Sequence, residues 1–261
     1  MKLSSAISRA ASATLLLALS TVVATAAERC AVSAAALSAG HWFARTVARL
    51  EQGKPVTIVA MGSSSTFGVG ASSSAAAYPA RLEALLKERF PDASIKVLNR
   101  GVNGEDAAEM LARFDRDAIQ AKPDLVLWQV GTNAVLHNPE IDGQGSLIRL
   151  GIERLKAAGA DVVLIDPQYA PAVIAKPQAR RMVDLIRAEA NEEGAGVLRR
   201  FALMRSWYEV RHMRFLEFVS PDGLHMNDWG YDCIARQLAG AIGDAVAKPP
   251  TATASVAAWT H

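Results

Sequence analysis

The sequence Val56-Thr57-Ile58-Val59-Ala60-Met61-Gly62-Ser63-Ser64-Ser65-Thr66-Phe67-Gly68 decides how the rest of the chain is interpreted. An apolar, β-branched run ends at a glycine, and three serines follow at once. This pattern is typical of a buried strand that projects small hydroxyl side chains from its carboxyl end. Open α/β sheets bind their ligands at that end of the strands. Taken alone, the stretch fits a polar loop as well as a turn that carries a nucleophilic serine.

The rest of the chain repeats the change from strand to helix. Short apolar runs predict further strands at residues 95–98, 125–130, 161–165 and 197–198. Apolar residues at helical spacing predict helices over residues 34–50, 78–90, 105–121, 146–158, 178–193, 205–217 and 228–245. Strands that alternate with helices at intervals too long for hairpins indicate a parallel sheet covered on both faces. Because no repeat or linker divides the chain, we expect one α/β domain.

The two ends of the chain differ in composition from this domain. Lys2 and Arg9 precede an apolar run at residues 10–23, and small residues follow it to position 27. This layout predicts a secretory signal peptide over residues 1–27, and the run is short for a membrane-spanning helix. We therefore expect export to the periplasm or the medium, without stable membrane insertion after cleavage. The domain would occupy residues 28–248, and residues 249–261 are predicted to be a disordered tail.

Composition and charge narrow the classes of partner. The 261 residues are 51% hydrophobic, which is enough for a substantial core. The excess of 28 basic over 26 acidic residues equals the two basic residues of the predicted leader. Nucleic acid is therefore not an expected partner. Both cysteines, Cys30 and Cys233, lie in the exported part, where they could form a disulfide or remain separate thiols.

Polar residues follow three of the predicted strands, at residues 62–64, 99–104 and 131–133. In a parallel sheet these strand ends meet at one edge. A fourth polar segment, residues 220–225, precedes the last helix and contains Asp222 and His225. Three residues apart in a helical turn, these two side chains lie on the same side. A carboxylate that orients an imidazole is what a general base needs in order to deprotonate a serine.

These blocks resemble, in order and spacing, the motifs of the SGNH (GDSL-type) hydrolase family over roughly residues 56–238. The family motifs Gly-Asp-Ser-x-Thr, Asn-x-x-x-x-Gly, Gly-x-Asn and Asp-x-x-His are matched by residues 62–66, Asn99 with Gly104, residues 131–133, and Asp222 with His225. The resemblance implies a single-domain, doubly wound (flavodoxin-like) α/β sandwich of about five parallel strands. The chain departs from the motif at Ser63, where the family usually has aspartate.

Residue by residue, the resemblance implies a catalytic triad and an oxyanion hole. Ser64 would attack an ester carbonyl, His225 would take its proton and Asp222 would orient the ring. The backbone N–H groups of Ser64 and Gly104 and the side-chain amide of Asn133 would bind the oxyanion.

Other polar residues suggest no cofactor and no metal. Asp222, His225 and Asp228 have no further ligand at a suitable spacing, and no Lys-Ser/Thr pair follows the glycines to bind phosphate. An anion or sugar surface around Arg205, Trp207 and Arg214 is a weaker hypothesis than a solvated amphipathic helix.

The predicted activity is therefore that of a serine esterase acting on ester bonds, with a small-molecule or glycan ester as substrate. Deacetylation of a carbohydrate is the first hypothesis. A lipase, lysophospholipase or thioesterase is the alternative within the same class. A glycan-binding or acyl-transferring relative without net hydrolysis is the alternative from another class.

Overall fold

The computed structural model describes Cys30, residues 41–137 and residues 140–247. The described residues form a five-stranded parallel sheet in the order β2-β1-β3-β4-β5. The strands are β1 Val56–Gly62, β2 Ile95–Gly101, β3 Leu125–Gln129, β4 Asp161–Ile165 and β5 Gly196–Leu198. This strand order is the flavodoxin-like one. It confirms the predicted doubly wound α/β fold.

Helices connect the strands and cover both faces of the sheet. In the described part of the chain the α-helices are α1 Ala44–Glu51, α2 Ser64–Phe67, α3 Tyr78–Arg89, α4 Ala107–Ala112, α5 Phe114–Asp117, α6 Thr132–His137, α7 Gln144–Ala157, α8 Pro171–Ile174, α9 Ala179–Glu192, α10 Arg200–Glu209 and α11 Asp228–Ala247. Single 3₁₀ turns lie at His41–Phe43, Ser74–Ala76, Ile119–Ala121 and Phe215–Glu217.

The sheet separates two apolar cores. Along β1, Ile58 and Ala60 pack on one side, whereas Val59 and Met61 pack on the other. The first core is closed by α1, α3, α10 and α11, and the second by α4, α5, α7 and α9. Strands buried on both faces are continuously apolar. The apolar runs in the sequence therefore located the five strands, but β2 is partly exposed and continues to Gly101, so residues 99–101 belong to the strand and not to the predicted loop.

The predicted helix over residues 105–121 is wrong in its continuity. The chain instead forms α4, α5 and a 3₁₀ turn, with a break at Arg113. The buried guanidinium of Arg113 donates hydrogen bonds to Glu105, Asp117 and the carbonyl of Gly62. These contacts tie the break to the carboxyl end of β1.

The predicted helix over residues 205–217 is wrong in its position. It begins at Arg200, where the N–H of Phe201 donates to Asp166, and it ends at Glu209. His212 adopts a positive φ of 56°, which a continuing right-handed helix does not allow. The polar residues predicted after β3 do not form a separate turn: Thr132 and Asn133 are the first two residues of α6.

Several predictions concern residues that the structure does not describe, namely the leader at residues 1–27, part of the helix predicted over 34–50, and the tail at 249–261. Within the described ranges no helix combines the length and apolar character needed to cross a bilayer. Cys30 and Cys233 form a disulfide, with 5.1 Å between their Cα atoms, and so link residue 30 to α11.

Candidate active site

The turn after β1 exposes one of its three consecutive serines. Ser63 and Ser65 are each 2% exposed, whereas Ser64, the first residue of α2, is partly accessible. A Cβ at Gly62 would collide with Thr66 Oγ1 and Gln129, so the close packing of this turn requires glycine. Accessibility therefore selects the same serine as the motif alignment.

The structure brings the other two members of the predicted triad to Ser64. Nε2 of His225 lies 2.8 Å from Ser64 Oγ, and Nδ1 of His225 lies 2.6 Å from Asp222 Oδ2. Residues 220–225 form a loop closed by an antiparallel bridge between Val219 and Met226. The three side chains thus form one continuous hydrogen-bonded line from carboxylate to hydroxyl.

Hydrogen bonds fix the charge and orientation of Asp222. Its Oδ1 accepts from Ser220 Oγ at 2.6 Å and from the N–H groups of Leu224 and His225 at 2.9 Å each. Partial burial would raise the pKa of this carboxyl, but the hydrogen bonds from Ser220, His225 and the backbone hold the pKa well below its ordinary value. Asp222 is therefore an anion throughout the neutral and mildly acidic range.

The residues predicted for the oxyanion hole lie on two loops that contact each other. Asn133 Nδ2 donates to the carbonyl of Glu105 at 2.7 Å, which joins the start of α6 to the loop after β2. Gly104 has a φ of +83°, and a Cβ there would have nothing within 4 Å. Glycine is therefore favoured by the left-handed backbone rather than by crowding. The oxyanion role itself stays a prediction.

Asn99, the first residue of the second motif, has a structural role. Its Nδ2 donates to the carbonyl of Thr66 at 2.9 Å, and its Oδ1 accepts from the N–H of Gly101. The end of β2 is thereby fastened to α2, the helix that carries Ser64. Of the motif residues, Asn99 thus supports the site from outside the triad.

Two buried glutamines, for which the sequence predicts no role, connect the parts of the site. Gln129 ends β3, and its Oε1 accepts hydrogen bonds from the turn that contains Ser64. Gln168 follows β4; its Oε1 accepts from Thr132 Oγ1 and its Nε2 donates to the carbonyl of Leu224. The available signal was a long amide side chain at or just beyond a buried strand.

Within the described residues, the remaining histidines and the acidic residues do not suggest a second centre. His137 is exposed at the end of α6, and His212 lies in the turn after α10. Among the described residues no group of three His, Cys, Asp or Glu side chains could hold a metal ion. Trp207 is fully buried in the first core, in agreement with an amphipathic helix.

Known proteins that are similar to this chain in sequence or structure include several esterases. An acetylxylan esterase from Geobacillus stearothermophilus is 26% identical over 182 residues, which cover 64% of this chain and 80% of that protein. A catalytic mutant of an acetylxylan esterase from the same organism superposes with a TM-score of 0.62 at 21% identity, over 72% of this chain and 94% of that one. A two-domain esterase active on acetylated mannans gives a TM-score of 0.69 at 18% identity. The alignment covers 86% of this chain but only 59% of that two-domain protein.

The relatives confirm the prediction of a carboxylic ester hydrolase, and the structural neighbours confirm the fold. A model of the family described as non-GDSL lipase-like matches residues 29–248. The match supports a lipase-like hydrolase family, and the closer resemblance to the SGNH (GDSL-type) family stays a prediction. Since the match covers most of the sequence, this chain belongs to the non-GDSL lipase-like family.

Proposed function

We propose that the protein is an exported serine esterase that removes acetyl groups from carbohydrates by Ser-His-Asp catalysis of the SGNH type. The observation that carries this proposal is the line of hydrogen bonds from Asp222 through His225 to Ser64, with heavy-atom distances of 2.6 and 2.8 Å. Distances in this range allow proton transfer between nucleophile and base.

The reaction follows from which atoms can donate and accept. Asp222 is an anion, so His225 Nδ1 carries the proton between them and Nε2 is free to accept one from Ser64 Oγ. The Ser64 oxygen then attacks the ester carbonyl. Collapse of the tetrahedral intermediate releases the alcohol, which takes the proton from Nε2. Water, deprotonated by the same nitrogen, hydrolyses the acetyl-enzyme and restores the hydroxyl of Ser64.

The developing oxyanion requires donors close to Ser64. The N–H groups of Ser64 and Gly104 and the side chain of Asn133 supply them in this proposal. Asn133 Nδ2 carries two hydrogens, of which the Glu105 carbonyl takes one. The second hydrogen also has a fixed direction, because the hydrogen bond to Glu105 prevents the amide group of Asn133 from rotating freely. Loss of one such donor typically costs about 10²–10³ in rate.

The relatives support a carbohydrate substrate. The named activities are directed at acetylated xylan and acetylated mannans. We extend them to this chain as a proposal. A lipase, lysophospholipase or thioesterase activity and a non-hydrolytic glycan-binding or acyl-transferring activity are the competing outcomes of the test below.

Export is part of the same proposal. It is supported by the signal-like composition of residues 1–27 and by the disulfide between Cys30 and Cys233, since disulfides persist mainly in oxidising compartments. N-terminal sequencing of the protein recovered from the periplasm or medium of its host should begin near residue 28. Recovery of the uncleaved chain from the cytoplasm would contradict export.

Substrate preference is tested by comparing acetate release from acetylated xylan and mannan with hydrolysis of p-nitrophenyl acetate, butyrate and octanoate. We expect kcat/KM to fall as the acyl chain lengthens and acetate to be released from at least one glycan. A preference for octanoate would favour the lipid-directed alternative. Acetyl transfer to a sugar acceptor without net acetate release would favour the transferase alternative.

A further inference from the structure

The residue that departs from the GDSL-type motif has an unusual partner in this structure. Ser63 is 2% exposed, and both its N–H and its hydroxyl donate to Gln129 Oε1, at 3.0 and 3.1 Å. Thr66 Oγ1 donates to the same oxygen at 3.3 Å. One buried amide oxygen at the end of β3 therefore accepts hydrogen bonds from both sides of Ser64.

We infer that Gln129 is a positioning residue for the nucleophile, and that Ser63 and Gln129 form a matched donor–acceptor pair. Gln129 fixes the turn from Ser63 to Thr66, and so it sets the position of Ser64 Oγ relative to His225. This inference rests on the proposed function, because it assigns a role within the same catalytic site.

The orientation of the Gln129 amide follows from the backbone. The N–H of Ser63 can only donate, so the atom that faces it must be the oxygen of Gln129 rather than the nitrogen. A serine hydroxyl beside that oxygen can turn to donate as well. An aspartate at position 63 would instead place a carboxylate against an oxygen acceptor, in a site that is almost fully buried.

The cost of separating the pair is high because both residues are buried. Gln129 is 1% exposed, and water cannot replace its oxygen without rearrangement of the turn. A buried N–H group left without an acceptor is strongly unfavourable. The turn from Ser63 to Thr66 would then move so that the unpaired N–H group of Ser63 could find another acceptor. Because Ser64 lies in the chain between Ser63 and Thr66, the two residues that bond to Gln129, movement of the turn would displace Ser64.

Movement of Ser64 changes the reaction more than it changes binding. The separation of 2.8 Å between Ser64 Oγ and His225 Nε2 is at hydrogen-bond distance. A displacement of about 1 Å at a reacting group can lower the rate about 10²-fold. The effect should fall on kcat and on the rate of covalent labelling, with KM almost unchanged.

The test replaces Gln129 with methionine, which has a similar shape but no amide oxygen. We expect Gln129→Met to lower kcat for p-nitrophenyl acetate about tenfold to 100-fold, and to slow labelling by a fluorophosphonate by a similar factor. Both are measured well below the melting temperature of the variant. Gln144→Met is the matched control, because Gln144 is also buried and its Oε1 has no hydrogen-bond partner. Its kcat should equal that of the unmodified protein.

Ser63→Asp tests the pairing of Ser63 with Gln129 independently. It provides the test of the inference if Gln129→Met does not fold. We expect it to lower kcat about tenfold or more, although it restores the usual motif. Ser63→Ala leaves Gln129 with two of its three hydrogen-bond donors, and we expect its kcat to fall only a few-fold. Unchanged kcat and labelling in Gln129→Met, or an equal or higher kcat in Ser63→Asp, would overturn the inference.

Failure of the inference is distinguishable from failure of the proposed function. If the unmodified protein neither turns over esters nor reacts with the fluorophosphonate at Ser64, the proposed function fails before Gln129 is considered. If it does both and Gln129→Met lowers only the melting temperature, Gln129 is merely structural and the inference alone fails.

Discussion

Single side chains at the carboxyl edge of the sheet account for the selection of one serine from three. Ser63 and Ser65 are buried, and the accessible Ser64 is the one within hydrogen-bond distance of His225. The sequence motifs led to the same residue without knowledge of burial. They did not reveal Gln129 or Gln168, because a buried amide that holds a loop leaves no periodic or motif signal in one sequence.

Replacement of Asp222 by asparagine tests the orientation of His225. An amide nitrogen facing Nδ1 would favour the tautomer with its proton on Nε2, which cannot accept the proton of Ser64. We expect kcat for p-nitrophenyl acetate to fall about 10⁴-fold with the fold intact. Asp228→Asn is the control, because Asp228 bonds to Ser72 outside the triad. A loss of less than tenfold in Asp222→Asn would contradict the assigned role.

At the scale of secondary-structure elements, the strands were more predictable than the helices. Strands buried on both faces are read directly from apolar runs, whereas a break such as that at Arg113 depends on partners distant in sequence. The guanidinium reaches the carbonyl of Gly62, 51 positions earlier, and the carboxylates of Glu105 and Asp117. Helical periodicity continues through this position, so the sequence could not show the break.

Arg113 thereby joins the end of β1 to the loop after β2, and its removal should lower the stability of the fold. Arg113→Met would leave Glu105 and Asp117 without a buried cation, and we expect the free energy of unfolding to fall by about 3–5 kcal/mol. Urea unfolding measures the loss. Arg116→Met is the matched control: Arg116 also pairs with Asp117 but is 71% exposed, so its replacement should lower the free energy of unfolding far less than that of Arg113. Equal losses in the two variants would contradict this explanation.

For the molecule as a whole, the sheet order, the cores and the site agree with one another. Motifs far apart in sequence converge because parallel strands place their carboxyl ends along one edge. The sequence alone left open whether Cys30 and Cys233 are bridged or remain separate thiols, since the presence of two cysteines does not show that they meet in the fold. The strands could therefore be predicted from local patterns and the contact of Ser64 with His225 from motifs, whereas the long-range contacts of Gln129, Gln168 and Arg113 could not.

Global stability should depend on pH through Asp166, which is buried after β4. Burial raises its pKa to about 7, although the N–H of Phe201 and the charge of Arg200 oppose the shift. The pKa in the folded state therefore exceeds the pKa of about 3.9 that an aspartate has in the unfolded chain. Because of this difference, protonation of Asp166 makes its full contribution to the stability of the fold only below about pH 3.9. That stability is lost as the pH rises through about 7.

Asp166→Asn removes this titration while keeping an oxygen for the Phe201 N–H. We expect the variant to gain stability relative to the unmodified protein as the pH rises from about 4 to about 7, with little change beyond either limit. Urea unfolding across this interval gives the difference in free energy. A difference that does not vary with pH would show that Asp166 keeps an ordinary pKa.

Covalent labelling tests the central claim most directly, because it does not require the natural substrate. A fluorophosphonate reacts with a serine that is activated by a neighbouring base. Peptide mass mapping of the purified protein should place one adduct on Ser64. Ser64→Ala should give no adduct and no hydrolysis of p-nitrophenyl acetate, with an unchanged melting temperature. Labelling at another serine, or full esterase activity in Ser64→Ala, would contradict the assignment of Ser64 as the nucleophile.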